Sequence, residues 1–161
     1  MSDFETLMFN PMPPLVVDGV AACSRLHKLW EAPDREKALA EIAPRIRGIA
    51  TRGGDGKVDT ALMSRFPKLE IVSSFGVGYD DVDADWAGKH GIVVTNTPDV
   101  LNDEVADTTF GLMLCAVRQL PQADRYVREG RWTKAPFPLT ASLRGRTLGI
   151  LGLGRIGRTI A

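Results

Sequence analysis

Thr147-Leu148-Gly149-Ile150-Leu151 runs without a break into Gly152-Leu153-Gly154-Arg155-Ile156-Gly157. The first five residues have the short, apolar texture of a buried strand, and the next six follow the pattern G-x-G-x-x-G. Glycine is wanted in that pattern for three separate reasons: a tight turn, close approach of backbone to a pyrophosphate, and tight packing of a helix on a strand. With 16 glycines in 161 residues, chance yields about 0.15 such patterns in a chain of this length, so context has to decide. A predicted strand in front and the helix-compatible Arg158–Ala161 behind are the context the pattern requires. A purely structural glycine turn is the alternative. In the dinucleotide reading, free N–H groups and the positive end of a helix after Gly154 face the phosphates, and Arg155 adds charge. The acidic residue that grips the adenosine ribose stands about 20 residues further on in such motifs. That position falls past Ala161, so NAD and NADP are not distinguished.

Upstream, short apolar or β-branched runs alternate with charged stretches of helical period, the signature of an α/β fold built on a parallel sheet. Strands are expected at Thr6–Phe9, Arg25–Trp30, Ile46–Thr51, Leu69–Ser74 and Ile92–Thr95, each bounded by Gly, Pro or charge. Between them Asp34–Ile46 carries Ala38, Ile42 and Ile46 on one helical stripe, and shorter helices fit Asp59–Phe66 and Asp83–His90. Leu15-Val16-Val17 has strand propensity, but the loop lengths around it suit a helix.

Asn96-Thr97-Pro98 breaks this alternation and closes a first domain, residues 1–98. Beyond it Asn102 is suited to cap a long helix, with Asp103 and Glu104 where the helix dipole favours anions. Val105, Thr109, Leu112, Ala116 and Leu120 form one stripe, while Phe110, Met113, Leu114 and Cys115 make the other faces apolar too. Such a helix is expected to be buried, either as a central core helix or in a subunit interface. Pro121 opens a second helix and Gly130 closes it. Polar, proline-containing Arg131–Arg144 reads as a crossing segment. Residues 99–144 thus connect the first domain to the start of a cofactor domain at 145–161.

Composition narrows the function. Twenty basic residues against twenty acidic ones leave no basic footprint for nucleic acid or an anionic membrane. Met1–Glu5 carries two acids and no cationic leader, and the longest apolar stretch, Phe110–Val117, is far shorter than the roughly 20 residues that span a bilayer. A cytoplasmic location is expected. Cys23 and Cys115 are far apart and outside any C-x-x-C arrangement, so neither a disulfide framework nor a metal site is expected, and both read as buried small hydrophobes.

Three blocks resemble the D-isomer-specific 2-hydroxyacid dehydrogenases, especially their hydroxypyruvate/glyoxylate and hydroxyphenylpyruvate reductases. They are Leu69-Glu70-Ile71-Val72-Ser73-Ser74-Phe75-Gly76-Val77-Gly78-Tyr79-Asp80; Val94-Thr95-Asn96-Thr97-Pro98-Asp99-Val100-Leu101 continuing to Val105-Ala106-Asp107; and Leu151 through Arg158. The resemblance covers nearly the whole chain and is weaker before Leu69. It implies a flavodoxin-like substrate domain, joined by two long helices to a Rossmann cofactor domain of which this chain holds only the first strand, turn and helix. Reduction of a small 2-oxo acid by NADH or NADPH is the implied activity. Backbone N–H groups of Gly76-Val77-Gly78 would hold the substrate carboxylate, with Thr51-Arg52-Gly53-Gly54 as the facing loop. Arg52 is then either an anion-selecting contact or a solvated loop charge.

By the same resemblance Gly152, Gly154, Arg155, Ile156 and Gly157 contact the cofactor pyrophosphate, and Thr109 lies toward the nicotinamide. Family members use an arginine, a glutamate and a histidine for catalysis, all three in a part this chain lacks, so the fragment alone is expected to be inactive. Neither His27, on a predicted strand, nor His90, at a helix end, is expected to replace them. A homodimer through the helices of Asn102–Gly130 is expected. The alternatives are a family member acting on phosphoglycerate, lactate or formate, and a non-enzymatic module that senses NAD(H), since one fold hosts many functions.

Overall fold

The computed structural model describes residues 3–161; Met1 and Ser2, part of the Met1–Glu5 stretch in which no cationic leader was expected, lie outside it. The chain divides into two compact units, Met1–Pro98 and Asp99–Ala161. In the first, β1 (Glu5–Met8), β2 (Arg25–Lys28), β3 (Ile46–Thr51), β4 (Ile71–Ser74) and β5 (Val93–Thr95) form one sheet in the order β2-β1-β3-β4-β5. Every neighbouring pair is parallel. Around the sheet lie α1 (Pro14–Cys23), α2 (Arg35–Ile42), α3 (Thr60–Met63) and α4 (Ala84–Lys89).

Register explains the two cores. Leu7 pairs with Ile49, Ile49 with Val72 and Val72 with Val94, so these four residues share one face. That face packs against Leu39 of α2, Met63 of α3 and Ala87 of α4. Their immediate neighbours Met8 and Ala50 point the other way, onto Val16, Val17 and Val20 of α1. Leu7, Ile46, Ile49 and Val72 are fully buried, and burial of each such side chain contributes about 1.5–3 kcal/mol. Both sheet faces are used near β1 and β3, as a parallel sheet demands.

Three helices begin where an aspartate closes an orphan N–H: Asp34 accepts from Lys37 at 3.1 Å, Asp59 from Leu62 at 2.9 Å and Asp83 from Trp86 at 3.0 Å. α2 stops at Ile42 and continues only as a 3-10 turn, Ala43–Arg45, because Pro44 has no N–H to extend the ladder. β2 ends earlier than the apolar run suggested, in a 3-10 turn at Leu29–Glu31.

The second unit contains α5 (Asn102–Arg118), α6 (Leu120–Arg128) and α7 (Arg155–Ile160). Gln119, at φ 53°, makes the left-handed joint between α5 and α6. Tyr126 of α6 is buried; its hydroxyl donates to the carbonyl oxygen of Ala135 at 2.9 Å, and Phe137 meets its ring edge-on. No helix among the described residues is long and apolar enough to cross a membrane.

Four expectations are corrected. Residues 147–151 form no strand, and Leu148 and Leu151 are exposed; a strand needs a ladder partner, and among the described residues none lies beside this one. Asn102 is the first helical residue of α5 rather than its cap, which is Leu101, and its side-chain amide donates to Asp99 instead, at 3.0 Å. α5 is not a core helix of this chain, the first of its two expected placements: Ala106 is its one buried residue, while Phe110, Leu112 and Leu114 are exposed. Cys23 is exposed, because it ends α1 beyond the stripe that faces the sheet; Cys115 is half-buried.

Candidate functional site

In an open α/β sheet, ligands bind beyond the carboxyl ends of the strands. Here those ends are Met8, Lys28, Thr51, Ser74 and Thr95. Three of the loops that follow them are laced together. Phe75 N–H donates to the carbonyl oxygen of Thr51 at 2.7 Å, extending the β3–β4 ladder past its formal end. Gly54 N–H donates to Asp81 Oδ2 at 3.0 Å, and Val58 N–H to the carbonyl oxygen of Asp81 at 2.7 Å, tying the loop after β3 to the loop after β4. Thr97 N–H donates to the carbonyl oxygen of Gly76 at 2.9 Å, and Asn96 Nδ2 to that of Val77 at 2.8 Å, tying in the segment after β5.

What this lacing leaves open is informative. Among the described residues, the N–H groups of Val77 and Gly78 donate to no protein acceptor. Neither Gly76 nor Gly78 has a positive φ, and a β-carbon added at either would meet its nearest protein atom only at 3.5 or 3.6 Å. The fold does not itself require glycine at these two positions. Small residues there keep the space in front of two unpaired donors clear.

Arg52 follows β3 directly. Its Nε donates to Asp55 Oδ1 at 3.1 Å, and Asn10 Nδ2 holds the carbonyl oxygen of Asp55 at 3.2 Å. Only Nε is engaged, so the terminal nitrogens of the guanidinium remain without a partner among the described residues. A β-carbon at Gly53 would meet no atom within 4 Å, and Gly54, at φ 87°, sits where an L side chain is strained.

In the second unit the three glycines of the G-x-G-x-x-G turn meet distinct demands. Gly152 has φ 93°. Gly154 precedes α7 with open space where a side chain would begin. Gly157 is buried, and a β-carbon there would collide with the carbonyl oxygen of Gly152. The N–H groups of Arg155, Ile156 and Gly157, the first turn of α7, have no acceptor among the described residues. Arg155 is turned to Asp99, with Nε 3.0 Å from Oδ1. The Thr109 hydroxyl donates to the carbonyl oxygen of Val105 at 2.7 Å, a bond inside its own helix.

Neither histidine stands at these loops' open donors. His27 Nε2 lies 2.6 Å from Glu5 Oε2, and His90 stacks on Trp86 at 3.8 Å between ring centroids. Burial on its own would raise the Glu5 carboxyl, but hydrogen bonds from His27 and Arg45, with their charges, outweigh it and hold the group below the usual carboxylate value. The residues that the sequence reading missed are Asn96, Asp81 and Asp55. The Asn-Thr-Pro break hid the first of them, since it reads as punctuation rather than as a side-chain contact.

Known proteins resemble the chain in sequence and in fold. The chain is 41% identical over its whole length to a glyoxylate/hydroxypyruvate reductase A of Arabidopsis thaliana and to a hydroxyphenylpyruvate reductase of Plectranthus scutellarioides, covering 51% of each. The solved structure of a 2-hydroxyacid dehydrogenase from Ketogulonicigenium vulgare matches 99% of the chain with a TM-score of 0.87 and 42% identity, over 50% of that protein. An NADPH-dependent glyoxylate/hydroxypyruvate reductase from Sinorhizobium meliloti, solved with NADP and malonate, matches 99% of the chain at a TM-score of 0.81 and 43% identity, over 49% of its own length. The chain spans about half the length of the curated relatives it matches. The model of the D-isomer specific 2-hydroxyacid dehydrogenase catalytic domain matches residues 7–152, and the chain belongs to that family.

Proposed function

We propose that the whole protein is an oxidoreductase that reduces small 2-oxo acids (glyoxylate, hydroxypyruvate or an arylpyruvate) to D-2-hydroxy acids with NADH or NADPH. The observation that carries this reading is the pair of acceptor-free N–H groups at Val77 and Gly78, on a loop whose glycines the fold does not need. A carboxylate accepts from both donors at once, and charge-assisted bonds of this kind are roughly twice as strong as neutral ones. Relatives named as reductases of such acids, and a neighbour solved with the small dicarboxylate malonate, support it.

The glycine turn fits a cofactor diphosphate. Gly152 allows the bend, Gly154 leaves room for close approach, and Gly157 lets α7 start tightly enough for its first-turn N–H groups to gather on one spot. When bound, the reduced nicotinamide supplies a hydride to the carbonyl carbon of the acid. This chain's residues bind and orient: Val77 and Gly78 hold the carboxylate, Arg52 offers its free guanidinium nitrogens beside Gly53, and residues 152–157 hold the diphosphate, with Arg155 adding charge when released from Asp99. Thr109 lines the nicotinamide side. Since His27 is committed to Glu5 and His90 to Trp86, we assign no proton donor here and expect this chain alone to bind without turnover.

In this reading residues 1–98 carry the substrate, 145–161 begin the cofactor domain and 99–144 connect the two. Apolar side chains exposed on more than one face of α5, Leu112 on one and Phe110 with Leu114 on another, support a homodimer through residues 102–130, since large apolar surface left open to solvent marks an interaction site. The free, exposed thiol of Cys23 suits the reducing cytoplasm. Oxidation of NADH and NADPH by the whole protein, followed at 340 nm with glyoxylate, hydroxypyruvate and phenylpyruvate, tests the function. Turnover with at least one acid is expected, and none with any of the three would reject it.

A further inference from the structure

We propose that Asn96 is the positioning residue of the carboxylate cradle, acting through the Val77–Gly78 peptide; the inference rests on the function proposed above. A trans peptide unit is planar, so its N–H points opposite to its C=O. The carbonyl of Val77 and the N–H of Gly78 belong to one such unit, and the carbonyl of Gly76 and the N–H of Val77 belong to the unit before it. Both carbonyl oxygens are held from behind by consecutive donors, Val77's by Asn96 Nδ2 at 2.8 Å and Gly76's by Thr97 N–H at 2.9 Å. Holding the oxygens aims the two N–H groups forward, and these are the donors left without a protein acceptor.

Such a hold is needed because glycine flanks the unit. Gly76 and Gly78 have no β-carbon to bias their dihedrals, so the Val77–Gly78 peptide turns over at small cost unless something fixes it. A flipped peptide presents a carbonyl oxygen where the substrate's carboxylate should sit, and attraction becomes repulsion. A backbone hydrogen bond fixes the preceding unit, but for this one the holding bond comes from a single side chain. Asparagine has the chemistry for it: its amide nitrogen donates to a carbonyl, whereas an aspartate of the same shape would set acceptor against acceptor. Asn96 stands directly after β5, whose parallel pairing with β4 brings it to the same end of the sheet as the loop it holds.

Asn96→Asp keeps the size and removes the donor; Asn96→Ala removes the contact without adding charge. The 15N-labelled protein is titrated with oxalate, a non-reducible analogue of glyoxylate, while the amide resonances of Val77 and Gly78 are followed. In the wild type both should move, saturating together. In either variant the Gly78 response should be lost or need at least about tenfold more oxalate, while resonances of the buried core, such as Ile49 and Val72, stay in place. In the active whole protein the same substitutions should raise KM for glyoxylate about tenfold or more and leave KM for the reduced cofactor within about twofold. Wild-type amides that ignore oxalate would reject the cradle itself. Oxalate that moves Gly78 equally in the wild type and both variants would leave the cradle standing and overturn the role of Asn96. A variant that shifts its core resonances would do the same, by showing a general structural role.

Discussion

Gly157 lies so close to Gly152 that a β-carbon on the first would run into the carbonyl oxygen of the second. The obstacle is backbone, not the end of a flexible side chain, so one of the two segments has to move if the glycine is replaced. Either movement displaces the turn and the first-turn N–H groups of α7 relative to one another. Gly157→Ala should therefore weaken binding of NADPH by the whole protein about tenfold or more, measured by quenching of protein fluorescence, while oxalate still shifts Val77 and Gly78. Unchanged cofactor affinity would mean that the turn does not grip the diphosphate.

Arg52 separates two readings of the loop after β3. If its free terminal nitrogens reach the substrate, Arg52→Ala raises KM for glyoxylate about tenfold, since hydrogen bonds to charged groups contribute about 1.5–3 kcal/mol. If it is a solvated charge held only by Asp55, steady-state kinetics stay as they were. The first outcome is expected.

Glu5 gives the fold an acid-sensitive point at the opposite end of β1. Its carboxylate sits 2.6 Å from His27 Nε2 and 3.2 Å from Arg45 Nε, and its side chain is 12% exposed. Because its folded-state pKa lies below the ordinary 4.5, the stability it contributes is complete above that value and is lost as pH falls through the lowered folded value. Glu5→Gln should cost about 2 kcal/mol in urea unfolding at pH 7. The gap between wild type and variant should close in acid, below pH 4.5. A gap that widens in acid would contradict the sign.

α5 supplies a test of assembly. Leu112 is 65% exposed, and an aspartate there adds charge to the surface proposed to pair. Leu112→Asp should convert a dimer into a monomer in sedimentation velocity at micromolar concentration, with helix content unchanged. A wild type that is already monomeric removes the proposal.

How far the sequence alone could be read depended on how local each cause is. The helices expected at Asp34–Ile46, Asp59–Phe66 and Asp83–His90 do start there, each held by an aspartate whose cap acts across only three residues. The five strands of the first unit were legible as apolar runs, although Leu29 ended β2 in a turn that its hydrophobicity concealed. Residues 147–151 have the same texture and form no strand, because strand formation depends on a neighbour and not on the run itself. Cys23 reads as core by type, yet its place at the end of α1 exposes it. The glycine turn and the 76–78 loop were visible as motifs. Asn96 was not, since its partner Val77 lies 19 residues back and only the β4–β5 pairing brings them together. Arg155 was expected as a cation for cofactor phosphates, but its pairing with Asp99 was not legible, since it is set by the packing of α7 on α5.

Carboxylate capture by the 76–78 loop is the claim on which the function depends, and reduction of glyoxylate compared with glycolaldehyde addresses it directly. Both offer an aldehyde to the hydride donor; only glyoxylate carries the anion that Val77 and Gly78 would hold. With saturating NADPH, the whole protein should reduce glyoxylate with a kcat/KM at least about 1,000-fold above that for glycolaldehyde. Comparable values for the two, or no turnover of glyoxylate at all, would contradict the account.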